Sequence, residues 1–182
     1  MDLYGLLKLV HIAGAIFWVG GATLMTVLAL IVMARGDDRG TLTLMRLLGL
    51  AGNKVFVPVG LVVIATGLVL GWLGGWGFAA WTVLAFATVV GTFALGGAVL
   101  GPSLERAIKL DDEGKTAEAL ALGRRVVRLV KLDLGGQWAI ISLMVLKPDW
   151  TDPMLLVPAL VLAAGVAAFA LDGSRRTEPQ PV

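Results

Sequence analysis

The sequence predicts an all-α protein, a polytopic membrane helix bundle of about five transmembrane helices plus a cytoplasmic amphipathic helix. Three observations carry that prediction. Hydrophobic residues make up 58% of the 182, charged residues only 15%, and mean hydropathy is +0.88, far from a soluble globular average. Apolar runs of roughly 20 residues, the length a helix needs to cross a hydrocarbon core, recur between charged stretches. Thirteen of the fifteen Lys and Arg lie in alternate intervals between those runs.

The first run covers about 9 to 33 and is ended by ARGDDRG at 34 to 40. It is about twice the usual signal-peptide core in length, and Asp2 precedes the nearby positive charge of Lys8, so it reads as a span. The segment TLTLMRLLGLAGN at 41 to 53 is apolar with a single arginine and is expected as a short helix at the cytoplasmic interface. The second span covers about 55 to 73, entered near Pro58. The short uncharged turn GWLGGWG at 71 to 77 joins it as a hairpin to the third, about 78 to 100.

Residues 103 to 131, SLERAIKLDDEGKTAEALALGRRVVRLVK, are helical in type. Ser103 after Pro102 is the expected N-cap, and Gly114 the expected interruption. Leu120, Val127 and Val130 recur at helical spacing, with Arg124, Arg125 and Arg128 between them. This is the amphipathic helix, expected to lie on anionic lipid headgroups and feed the fourth span; a docking surface for a cytoplasmic partner is the alternative. The fourth span covers about 132 to 146 and is closed by KPDWTDP, and the fifth covers about 154 to 171. The polar tail over 173 to 182 has no apolar pattern and is expected to be disordered, leaving residues 1 to 172 as a single transmembrane domain.

Basic residues enrich cytoplasmic loops. Arg35, Arg39, Arg46 and Lys54 follow the first span, seven more follow the third, and Arg175 and Arg176 follow the fifth, against Lys8 and Lys147 on the other side. Five spans with the N-terminus outside and the C-terminus in the cytoplasm, in a bacterial inner membrane, fit this count. The basic balance therefore reads as topology, with membrane lipid as the partner and no nucleic acid. With no cysteine, thiolate chemistry and thiolate metal sites are excluded.

Function turns on the first helix, which holds the chain's one histidine. Steps of three and four place Tyr4, Lys8, His11, Ala15, Trp18, Ala22 and Met25 on one stripe. Polar groups at membrane depth turn towards protein, so this stripe should face the bundle, with Gly14, Gly20 and Gly21 allowing close approach of a neighbouring helix. His11 lies one turn inside Lys8, in the outer leaflet. Thr66, Thr82, Ser142, Met144, Trp72, Trp76 and Trp81 are its candidate neighbours at matching depth.

His11 is either a hydrogen-bonded interfacial residue or a ligand. As a ligand it would hold haem b axially with Met144 or Met25, or monovalent copper with methionine sulfur, a soft donor suited to that ion. Asp133 and Gln137, one turn apart at the expected cytoplasmic end of the fourth span, read as a helix-end polar contact to Arg128 or to Asn53 and Lys54. A proton or ion pathway is the alternative. Trp72, Trp76, Trp81 and Trp150 read as an interfacial aromatic belt. Phosphate loops, paired carboxylates, Ser/His/Asp sets and HExxH are missing from the sequence, which disfavours hydrolytic chemistry. A non-catalytic binding or accessory module is the leading reading, haem or copper handling the second, and small-solute transport the third. A homodimer through Gly-rich faces, or a membrane-complex partner, is the expected association.

YGLLKLVHIAGAIFWVGG at 4 to 21, the five-span layout and LMVLKPDW at 143 to 150 resemble the bacterial predicted integral-membrane family called domain of unknown function 2269. That resemblance covers about residues 1 to 172 and implies a fold without a reaction. The pattern HxxxxxxWxGG at 11 to 21 is similar, more loosely, to the first helix of copper-resistance D-type proteins and of membrane haem proteins such as the histidine-dependent protoporphyrinogen oxidases. That likeness implies a ligand role for His11 alone, and this chain has no second histidine.

Overall fold

The computed structural model describes residues 2–174, with side chains through residue 171; most of the tail expected over 173 to 182 lies outside the described residues. Among the described residues all regular structure is helical. α1 spans Leu3–Ala34, started by Asp2, whose carboxylate accepts from the Tyr4 amide at 3.1 Å. At about 48 Å it exceeds the hydrocarbon thickness. After a turn through Gly36, at φ +66°, α2 covers Asp38–Ala51 with Asp37 as its cap.

Two proline sites depart from expectation in the same way. α2 does not stop before α3 (Val57–Leu73); a π-helical turn over Gly52–Phe56 joins them into one helix, Asp38–Leu73. Likewise α4 (Ala80–Leu95) passes through a π turn over Gly96–Leu100 into α5 (Gly101–Asp112). Pro58 and Pro102 are each the second residue after the π turn. A proline ring clashes with the carbonyl four residues back and removes an N–H, and one wider turn placed just before it lets the helix continue. Ser103 is therefore interior to a helix rather than an N-cap, and the third membrane helix runs to Asp112 rather than ending near residue 100.

Gly114, at φ +77°, makes the reversal between α5 and α6 (Thr116–Leu146). The expected amphipathic helix over 103 to 131 is thus divided: its first half prolongs the third membrane helix and its second half is the start of the fourth. Nor is its apolar face left for lipid. α2, α5 and the first half of α6 pack together, with Met45, Leu104 and Ala107 buried among Leu42, Leu48, Ile108 and Leu122. Leu120 and Val127 are buried as well. Arg46 of α2 bridges Asp111 and Asp112 at the end of α5, each at 2.6 Å, offsetting two negative charges at the unfavourable end of a helix dipole. Asn53 donates to Glu105 at 3.3 Å. Burying the apolar stripe against two other helices removes it from water without requiring the bilayer.

α7 (Leu156–Ser174) follows a short 3₁₀ turn, Pro153–Leu155, capped by Asp152. Among the described residues five helices are long and apolar enough to cross a membrane: Leu3–Ala34, Asp38–Leu73, Ala80–Asp112, Thr116–Leu146 and Pro153–Leu171. α6 touches α1, α2, α4, α5 and α7. Its crossing with α7 is made at Gly135 and Gly165, where a Cβ on Gly135 would lie 2.7 Å from the Gly165 Cα. Such backbone approach supplies dispersion contact where lipid offers no hydrophobic drive. Two apolar clusters complete the interior, one of Trp81, Ala85, Val89, Ile140 and Leu143 between α4 and α6, the other of Trp18, Val19 and Val63 between α1 and α3. The bundle has a basic end, formed by α2, α5 and the start of α6, and a tryptophan end, formed by the segments 74–79 and 147–152.

Candidate functional site

His11 comes to α3. Its Nδ1 lies 3.0 Å from the Val63 carbonyl and 3.1 Å from Thr66 Oγ1. The carbonyl can only accept, so Nδ1 carries the hydrogen and the neutral ring keeps its lone pair on Nε2. The Thr66 hydroxyl donates to Val62 at 2.7 Å, which leaves its oxygen to accept from Nδ1. Gly67 gives the ring its place, since a Cβ there would lie 2.9 Å from His11 Cε1. Thr66 precedes the end of α3 by seven residues, so the ring sits about 10 Å below the tryptophan end. Among the described residues Nε2 has no hydrogen-bond partner.

The rest of the first-helix stripe divides by depth. Tyr4, His11, Ala15, Ala22 and Met25 are half-buried, Trp18 is buried and Lys8 is exposed, its Nζ 5.4 Å above the Tyr4 ring. Leu3, Leu9, Ile16 and Phe17 on the other faces are exposed, as side chains directed to lipid would be. Trp18 lies about 10 Å further along the helix than His11 and packs against Phe93, with ring centroids 5.8 Å apart, over Gly60. Met25 is about 21 Å along the same helix from His11, too far to share one metal ion with it. Met144 packs beside the Trp81 and Leu143 cluster.

At the tryptophan end, Lys147 Nζ lies 4.2 Å from the Trp76 ring centroid and 5.4 Å from that of Trp81. The two indoles meet edge to face at 5.0 Å. This contact accompanies a left-handed backbone at Lys147, φ 49°, a conformation a side-chain-bearing residue rarely adopts. Trp150 Nε1 donates to the Phe78 carbonyl at 3.3 Å. The belt is thus also a clasp between the two connecting segments, which nothing in the spacing of single tryptophans signals.

Asp133 and Gln137 pair with each other. Gln137 Nε2 donates to Asp133 Oδ2 at 2.7 Å. Neither expected partner is used: Arg128 lies over the Phe169 ring at 4.9 Å, and Asn53 serves Glu105. Five residues separate Arg128 from Asp133, which turns them about 140° apart on the helix. Leu146 ends α6 thirteen residues after Asp133, so Asp133 lies about 20 Å along the helix from the tryptophan end and Gln137 about 14 Å.

Among the described residues, groups of three or more His, Cys, Asp or Glu able to hold a metal ion do not occur. His11 Nε2 is one donor; a copper ion would need further protein ligands, and Met25 of the same helix is too far along it to be one. Neither a curated protein nor a solved structure matches the chain. Over residues 5–148, however, a stretch that takes in the first four apolar helices and the histidine stripe from Lys8 onward, it matches a family model, and the chain belongs to the family described as predicted integral membrane protein (DUF2269).

Proposed function

We propose that this integral membrane protein is a non-catalytic binding or accessory module of the bacterial cytoplasmic membrane, with its N-terminus outside and the basic end in the cytoplasm. The observation that carries the reading is the His11 ring. It is fixed at Nδ1 by a carbonyl and a threonine and presents an Nε2 lone pair that has no hydrogen-bond partner among the described residues. That arrangement offers a single oriented acceptor to a donor on another molecule, such as a partner helix in the outer leaflet. The orientation rests on the segregation of basic residues to one end.

Absorbance and metal content of detergent-purified protein, beside a His11→Ala variant, test the binding reading. The expected spectrum has no Soret band, with no stoichiometric copper. A Soret band or bound copper lost in His11→Ala would replace this reading with haem or copper handling. Because the chain has no cysteine, single cysteines introduced at 114 and 75 report orientation. The first should be labelled only from the cytoplasmic side and the second only from outside; the reverse pattern overturns the orientation.

A further inference from the structure

The interior of α6 holds a polar pair that the His11 site does not use. Gln137 is only 3% exposed. Its amide N–H is spent on Asp133 Oδ2, and Asp133 Oδ1 and Gln137 Oε1 are both buried with no hydrogen-bond partner among the described residues. Two buried acceptors without a donor are costly in a low-dielectric setting, and more so where an unpaired carboxylate would sit well inside the hydrocarbon core. One hydrogen added at Oδ1 and directed to Oε1 removes both deficits and closes a ring of two hydrogen bonds between acid and amide.

We propose that Asp133 and Gln137 form a proton-binding site in the middle of the bundle, occupied at neutral pH, in which the carboxylic acid donates to the amide oxygen and the amide donates back. The loading step is the transfer of one proton to the carboxylate, with no other bond made or broken. Two oxygens suffice for a proton, whereas a divalent cation takes roughly six.

The electrostatic surroundings favour the uncharged state. α4 carries no ionisable side chain, α7 none before Asp172 near its end, and α1 none between His11 and Ala34. From α2, Arg46 is tied to Asp111 and Asp112, and Asp38 and Arg39 are exposed near its start. From α5, Glu105, Arg106, Lys109, Asp111 and Asp112 belong to the basic end. On α6 itself Arg128 covers Phe169, its Nε also buried without a hydrogen-bond partner among the described residues, on a face about 140° from Asp133, and Lys131 has an interaction of its own. Gly136, beside Gln137 in the chain, carries α6 against Thr92 and Thr88 of α4. The basic end is the nearer surface, about 10 Å from Asp133, and is the side from which the proton exchanges.

Infrared spectroscopy of the full-length protein in lipid nanodiscs, titrated from about pH 5 to about pH 9, tests this, because ordinary carboxylates are ionised over that range. The expected result is a deuterium-sensitive carbonyl band of an un-ionised carboxylic acid at neutral pH, absent in Asp133→Asn and shifted in Gln137→Leu. Asp133→Asn keeps both hydrogen bonds with an amide in place of the acid, so its thermal midpoint should match wild type near neutral pH and stay flat as pH rises. Wild type should lose stability with rising pH, since the folded chain then binds one more proton than the unfolded chain. A wild-type protein with no such band at neutral pH overturns the proposal, even if neither variant folds. So does a band retained in Asp133→Asn, or a titration displaced by exchanging potassium for sodium, which would indicate a cation instead.

Discussion

The Gly67 backbone on α3 lies flush against the His11 ring on α1, with room for a hydrogen and not for a methyl group, since a Cβ there would fall 2.9 Å from Cε1. Gly67→Ala should push the imidazole off the Val63 carbonyl, at a loss of about 1 kcal/mol for the hydrogen bond. With one histidine in the chain, nitrogen NMR of the ring reads the result directly. Wild type should show the Nδ1–H tautomer and Gly67→Ala a mixture. Thr66→Val should keep the tautomer, because the carbonyl remains.

Gly135→Ala should destabilise the bundle by about 1 to 3 kcal/mol, the usual range for forced overpacking, because its Cβ would meet the Gly165 backbone rather than a flexible side chain. Gly20, also in a membrane helix, has nothing within 4 Å of such a Cβ. Gly20→Ala should cost nothing measurable in the same thermal melts in detergent.

The two candidate helix caps separate cleanly. Asp37 accepts from the Gly40 amide at 2.8 Å, so Asp37→Ala should cost about 1 kcal/mol. Ser103 lies inside α5 with no capping bond, and Ser103→Ala should stay within about 0.5 kcal/mol of wild type. A cap-sized loss at Ser103 would mean that the helix restarts after Pro102.

Exposed ion pairs at the basic end should show their character in salt. Arg46→Ala leaves Asp111 and Asp112 facing each other at the end of α5, and the small drop in thermal midpoint should shrink at high ionic strength. The Glu113 carboxyl is held below its ordinary value by the hydrogen bond and charge of Lys115. Its contribution is therefore present above the ordinary carboxylate range and lost as pH falls through the lowered value. Carbon NMR of Glu113 should show an acid-shifted titration that returns upward in Lys115→Ala.

The number of long apolar helices was legible because hydrocarbon imposes one requirement, apolar length, that a sequence displays openly; α6 and α7 end within a few residues of expectation. The bundle-facing side of α1 was legible for a related reason, since His11 and Trp18 cannot economically face lipid. Thr66 stood among the expected neighbours of His11 on depth alone. Continuity through Pro58 and Pro102 was hidden, because a π turn is a backbone adjustment with no side-chain signature. The fate of residues 103 to 131 was hidden too: an apolar stripe states that it will be buried, and leaves open whether lipid or protein covers it. For Asp133, charge suggested a cation and the structure supplied an amide, because helical phase turned Arg128 away.

The two π turns fall in different helices, each joining a helix of the basic end to the longer apolar helix beside it. α6 makes the same passage as one uninterrupted helix. The three shafts joining the basic end to the rest of the bundle are therefore mechanically unequal: α6 is a stiff mast, and each of the other two carries a compliant joint. A sideways load on the basic end would bend at Gly52–Phe56 and Gly96–Leu100 and pivot about α6, and α6 is the helix that holds Asp133 and Gln137.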